Sequence, residues 1–305
     1  MAKKSIISKE VPKDVGVYID PRTDFGFKRL FGDKELMIDF LNSVLDVKDG
    51  IVELQYRNTV RTGLSKDDRT AIYDLYCTTG SGEHTSYFVQ STSIIVEMQT
   101  IPHENYIERI VYYISCLIQQ LGKKGKDWDF GLPAVYSVII VDFMLDKEKV
   151  TEKYLSKIKL LNCETKELFY DKLTLMFLEL PRFTKKVDVL ETNVEKWVYA
   201  LKNLPKLDRM PSKLRAKIFN KLFELAKIAK LTSEQQNNYY KSLNDMGIIK
   251  IQFGKMEKTI ATQDKTIAAQ AKRIAELERR LGLNDASAQK TSTRKAKPRK
   301  TAGEW

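Results

Sequence analysis

Asp74 and the triplet Glu97-Met98-Gln99 are the residues whose types and spacing could do chemistry. In an extended strand alternate side chains share a face, so Glu97 and Gln99 project together while Val96 and Met98 point the other way. Asp74 falls mid-strand between Tyr73 and Leu75, where strand propensity disfavours an acid. If the two segments pair, two carboxylates and an amide oxygen converge at one edge of a sheet. Such a hard oxygen donor set suits Mg²⁺ or Mn²⁺. A metal held there could activate water and neutralise charge developing on a phosphodiester. The plain alternative is that Asp74 caps a turn and Glu97 ends an exposed strand.

Other metal chemistries are short of ligands. The two histidines, His84 and His103, cannot make a three-histidine zinc site. Cys77, Cys116 and Cys163 form no CxxC pair, so zinc ribbons, iron–sulfur clusters and disulfide scaffolds are not expected. Cys77 and Cys116 read as small buried residues rather than nucleophiles.

The elements that must position these residues follow from periodicity. A helix begins at the N-cap Thr23, with Asp24 in a first turn that favours an acid. Apolar residues from Phe27 to Leu45 continue it at helical spacing. Three strand segments follow: 51–60, 70–78 and the 87–100 region that ends in the ExQ triplet. Ile107, Ile110, Val111, Ile114, Leu117 and Ile118 mark an amphipathic helix over 104–121, and Gly122 stops it. The unbroken apolar run 134–145 predicts a strand covered on both faces. After Asp146 the segments read as mainly helical, with 169–180 a mixture of short strand and helix. A long polar helix is expected from about 246 to 281, where Ile260, Ile267, Ile274 and Leu281 lie seven apart but Gln263 and Gln270 precede Leu277 at the other seam position, so that a weak coiled coil and a single solvated helix both fit. These patterns divide the chain into a lead expected to be disordered (1–17), an α/β domain (18–148), a basic helical domain (149–245), a long helix or weak coiled coil (246–282) and a basic tail expected to be disordered (283–305).

The chain has 305 residues and a formal net charge of +12. Residues 1–150 carry 19 Lys+Arg and 22 Asp+Glu, whereas residues 151–305 carry 33 and 18. The acids that could hold a metal therefore sit in the front half and the excess of cations in the back half, which favours nucleic acid as a partner, with a soluble basic helical domain as the plain alternative. Lys290, Arg294, Lys295, Lys297, Arg299 and Lys300 give the tail six cations and no acid over 290–300. No apolar run approaches the length of a membrane span, and the first residues show no signal-peptide core, so a cytoplasmic protein is expected.

The order helix, three strands, helix, strand, with an acid on the second strand and ExQ on the third, resembles the PD-(D/E)XK nuclease core. Thr23–Leu45, YDLYC (Tyr73–Cys77), VEMQ (Val96–Gln99), Tyr106–Trp128 and VYSVIIVDF (Val135–Phe143) look like the PD-(D/E)XK nuclease family transposases, a group related to the recombination-promoting nucleases of bacteria. EKWVYALKN (Glu195–Asn203) and LTSEQQNNYYKSL (Leu231–Leu243) extend the resemblance over about residues 18–250. It implies a restriction-endonuclease-like α/β fold and a Mg²⁺-dependent DNA endonuclease linked to recombination or mobile elements. By position, Asp74 and Glu97 would be metal ligands. Gln99 stands where the pattern usually has lysine, and its neutral amide could orient water or a phosphate oxygen. The connection 84–93 also looks longer than usual.

The resemblance makes Arg109 and Tyr113, four apart on one flank of the second helix, candidates for positioning the site or the DNA backbone; otherwise they form a solvated face. Asp24 could face the metal and Lys28 a phosphate, although an i, i+4 ion pair between them explains both. The rival reading is a catalytically inactive DNA-binding or oligomerising protein that works through its basic half. A homo-oligomer could form through the long helix in either case.

Overall fold

The computed structural model of the chain describes residues 16–47, 50–61, 71–79, 92–122, 129–146 and 151–281. Thr23 caps α1 (Asp24–Phe31), its Oγ1 accepting from the Gly26 amide at 3.0 Å. The helix expected to run on to Leu45 breaks at Gly32-Asp33. Gly32 closes α1, and the Asp33 carboxylate accepts from the Leu36 amide to start α2 (Lys34–Val44). The apolar spacing persists across the break because both helices face one core: Phe27, Phe31, Phe40 and Leu41 are all fully buried.

The strands are shorter than the expected segments. Segment 51–60 yields β1 (Leu54–Tyr56) and opens β2 (Val60–Arg61), while 70–78 yields β3 (Ala71–Ile72) and β4 (Leu75–Thr79). Then come β5 (Ser93–Gln99), α3 (Tyr106–Leu121) and β6 (Val135–Val141). The 84–93 connection lies largely outside the described residues. Residues 155–179 add a hairpin, β7 (Leu155–Leu161) and β8 (Leu168–Glu179), of which the sequence reading contained only a short strand mixed with helix over 169–180. The six-stranded sheet runs β1-β4-β5-β6-β8-β7, with β5, β6 and β8 parallel, and β2 and β3 form a separate pair.

Both faces of the central strands are covered, as their near-continuous apolar sequences require. Ile95, Ile139 and Phe177 pack on one face against Ile110, Ile114 and Leu117 of α3. Ile94, Val96, Val138, Ile140 and Leu178 pack on the other, in the core shared by α1, α2, α4 (Asn193–Asn203) and α5 (Lys217–Ala226). Trp197 of α4, fully buried, lies against Phe31, Phe40 and Phe219, and its indole N–H donates to Asp39 at 2.6 Å.

The division expected at 148 therefore falls inside one body. β8 is paired in register with β6, and Trp197 completes the core begun by α1. The chain instead separates into two compact units after Ile248. The helix α6 (Ser233–Arg280) runs through that point, and residues 249–281 form the described part of the second unit. Among the described residues no helix is long and apolar enough to cross a membrane.

Candidate active site

Glu97 and Gln99 follow Ile95 on the α3 face of β5, as strand alternation requires. Asp74 is not mid-strand. It occupies the bend between β3 and β4, where the chain leaves its pairing with β2 and joins the main sheet. The β4–β5 ladder ends at Leu75 opposite Val96, so the β5 backbone beyond it has no strand partner on that side. Asp74 supplies the substitute: its Oδ2 accepts from the Met98 amide at 2.8 Å. Glu97 Oε1 in turn accepts from the Asp74 amide at 3.3 Å. Each carboxylate thus satisfies a backbone donor on the other's segment, and the two acids are held together where the ladder stops.

This pair binds protons abnormally tightly. Burial, reinforced by the charge on Asp74, pushes the Glu97 carboxyl up to about 8. Burial also raises Asp74, with Asp24 adding to the effect and the Met98 amide, Lys28 and Arg109 opposing it. The site thus contains a desolvated pair of like charges that nearby cations only partly offset.

Arg109, near the start of α3, joins the pair to Gln99. Its Nη2 donates to Gln99 Oε1 at 2.9 Å, its guanidinium lies 5.0 Å from the Tyr106 ring centre, and Gln99 Nε2 donates to the Ile101 carbonyl at 3.2 Å. The Gln99 amide is therefore oriented, its oxygen held by a fixed cation. Tyr113 is near through packing: its ring meets Tyr73 edge-on at 5.8 Å, and its carbonyl accepts from the Tyr73 hydroxyl at 2.9 Å. Asp24 and Lys28 form the expected i, i+4 ion pair at 2.6 Å, both largely exposed, close enough for each to act on the Asp74 carboxyl. The six cations of 290–300 lie outside the described residues.

Two features escaped the sequence reading. Arg22 is clamped between Asp20 at 2.7 Å and Asp142 at 3.1 Å, while the Asp142 amide donates to the Gln99 carbonyl at 2.9 Å. This bridge ties the start of α1 to the end of β5, and its only trace in the sequence is an arginine just before the N-cap. The second is an open cavity of about 540 Å³ along the start of α3, lined by His103, Tyr106, Arg109, Tyr112 and Tyr113 among others. A pocket of about 10 Å³, the size of one water, is lined by Glu97 and shares Tyr106, Arg109 and Tyr113 with it.

Among the described residues no three His, Cys, Asp or Glu side chains group to hold a metal. The available donor set is the Asp74 and Glu97 carboxylates. It fits a hard cation that keeps most of its waters and takes one or two carboxylates, as Mg²⁺ does. It does not fit zinc, for which nitrogen and sulfur donors are missing. A divalent cation would also offset the burial of charge that raises both proton affinities.

No curated protein and no solved structure matches the chain. The family model of the PD-(D/E)XK nuclease family transposases matches residues 21–246, from the residue before Arg22 to the early part of α6 and across every strand described above. With that match spanning most of its length, the chain belongs to the PD-(D/E)XK nuclease family transposases.

Proposed function

We propose that the chain is a metal-dependent DNA endonuclease that hydrolyses phosphodiester bonds in DNA recombination or element mobility. The observation that carries this reading is the reciprocal lock between Asp74 and Glu97, two desolvated carboxylates at the end of a sheet in a member of a nuclease family. Asp74 and Glu97 would hold the ion, Mg²⁺ or alternatively Mn²⁺. When bound, the ion supplies charge neutralisation and a water of lowered pKa. Gln99 and Arg109 act on the substrate side: the amide orients a water or phosphate oxygen, and the guanidinium receives the phosphate. Tyr113 fixes this face of α3, and Lys28 adds a phosphate contact from α1. The open cavity beside Tyr106 and Arg109 is the path along which a DNA strand reaches Glu97. DNA and a second copy of the chain are the partners, in the cytoplasm.

Plasmid cleavage with Mg²⁺, with and without EDTA, tests the reading. Cleavage that EDTA leaves untouched would sink it.

Gln99 and Arg109 are expected to act as one unit because they share a hydrogen bond. Gln99→Ala should slow single-turnover cleavage by about 10²-fold, the range for losing an oriented hydrogen-bonding group. Arg109→Ala should cost a similar factor, and the double variant should be far less than additive. Additive losses would mean that the two side chains serve separate steps.

The basic tail supplies sequence-independent phosphate contacts. Truncation after Gly282 removes the six cations between Lys290 and Lys300. DNA affinity should fall, and the salt dependence should become shallower by about 0.9 for each phosphate that the tail no longer neutralises. An unchanged slope would assign the tail another role.

A further inference from the structure

The second unit offers a surface that the proposed nuclease chemistry does not use. Phe253, Ile260, Ile267, Ile274 and Leu281 recur every seven residues on α6 and its last turn. Ile249, Met256, Gln263, Gln270 and Leu277 recur in the same way, four residues before each of them. With the first series at a and the second at d, one continuous seam runs from 249 to 281. Within that stretch Ile251 is the sole large apolar residue off the seam. Ile260, Ile267 and Ile274 are each more than half exposed in the single chain.

Such a helix is poorly equipped to stand alone. Gly254 lies in its interior, where glycine costs about 1 kcal/mol relative to alanine. Thr259, Thr262 and Thr266 turn their hydroxyls back onto carbonyls four residues earlier, a habit that weakens helices. Burial of the seam is the stabilisation still open to it.

We propose that residues 249–281 form a parallel, in-register, two-stranded coiled coil with a second copy of this chain. Isoleucine at a with leucine at d, as at Ile274 and Leu277, favours two strands. The two glutamines argue for a second copy and fix the register. In register, each amide meets its own counterpart across the seam and the pair can hydrogen-bond. A shift of one heptad sets Gln270 against the partner's Leu277 and Gln263 of the partner against Met256, leaving buried amides unsatisfied.

Charge sets the direction. The e positions hold Lys250, Glu257, Asp264, Ala271 and Glu278, mostly acidic, and the g positions end in Arg273 and Arg280. In a parallel pair each g residue faces the e residue of the next heptad, which brings Arg273 to the partner's Glu278. An antiparallel pair sets e against e and g against g, so acids meet acids. In the single chain Arg273 and Arg280 share Glu276 through exposed contacts of 3.2 and 2.8 Å, of little energetic weight and free to exchange. The consequence, if the proposed function holds, is two candidate active sites per particle.

The test is the mass of the full-length protein by sedimentation equilibrium at micromolar concentration, which needs no nuclease activity and so stands or falls apart from the nuclease reading. The expected result is a dimer that Ile267→Asp combined with Ile274→Asp converts to monomer. Arg273→Glu should raise the dimer dissociation constant about tenfold, and adding Glu278→Arg should restore it. That restoration separates a weakened interface from a damaged helix. For direction, Leu281→Cys in a Cys163→Ser background, which removes the exposed native thiol, should form an interchain disulfide on mild oxidation. A monomeric wild type, a trimer or tetramer, a dimer that survives both aspartates, failure of the charge swap to restore binding, or no disulfide at 281 would overturn the proposal.

Discussion

Replacing Glu97 by alanine is expected to lower DNA cleavage by about 10³-fold or more while the melting temperature of the metal-free protein rises. The first half follows from the role proposed for the carboxylate: its loss removes half of a two-carboxylate donor set, and with it the charge that holds a cation beside the scissile phosphate. The second half is what separates an active-site acid from a structural one. Glu97 is desolvated beside Asp74, and its one backbone hydrogen bond is long, at 3.3 Å. Losing that bond costs about 1 kcal/mol, less than the stability that a carboxyl raised to about 8 forfeits near neutral pH, where folding must bind it a proton. Glu97→Gln should behave similarly, since it keeps the shape without the charge. Single-turnover cleavage and thermal unfolding of wild type and both variants would decide the matter. Unchanged cleavage would remove Glu97 from the site, whereas a loss of cleavage together with a lower melting temperature would point to a structural acid.

Much of this arrangement was legible in the sequence, and what was not has identifiable causes. That Glu97 and Gln99 share a face follows from strand alternation alone, and the α3 stripe with its Gly122 stop is an ordinary amphipathic pattern. Asp74 came out near Glu97 but in a different local setting. A single acid in an apolar run does not reveal that the run is two short strands meeting at a bend, because the bend is stabilised by Met98, 24 residues away. The β7–β8 hairpin was legible only as a short strand mixed with helix over 169–180, for a related reason. Leu173, Leu175 and Phe177 face the α3 core while Met176 and Leu178 face the other. Apolar residues on both faces erase the period-two signal, and such a run cannot be told from a buried helix by periodicity. Arg22 carried no pattern at all: its partners Asp20 and Asp142 come together only once β6 is placed. The roles of Asp74, Glu97 and Gln99 rest on chemistry and on the family, and the geometry supplies the neighbours, Arg109 and Tyr106 above all, through which they can be tested.

Stability and metal response are expected to change with pH in opposite directions, both through Glu97. Its folded-state carboxyl lies near 8 against an ordinary value of 4.5, raised by burial and by the charge on Asp74. A carboxyl raised on folding adds stability that is fully present below its unfolded value and is lost as pH climbs through the folded one. Between about pH 4.5 and 8 the metal-free protein should therefore lose stability, on the order of a few kcal/mol at about 1.4 kcal/mol for each tenfold in proton affinity. A divalent cation reverses the sign. It binds the ionised pair, competes with the proton for it, and so should raise the melting temperature little near pH 6 and much more near pH 9. Cleavage should climb over the same interval, because the form that holds the cation is the one that accumulates. Glu97→Gln should flatten the metal-free profile and lose most of the Mg²⁺-induced rise. The measurement is thermal unfolding from pH 5 to 9 with and without Mg²⁺, for wild type and Glu97→Gln. A Mg²⁺ effect of equal size at every pH would place the cation away from the Asp74–Glu97 pair, however the enzyme cleaves.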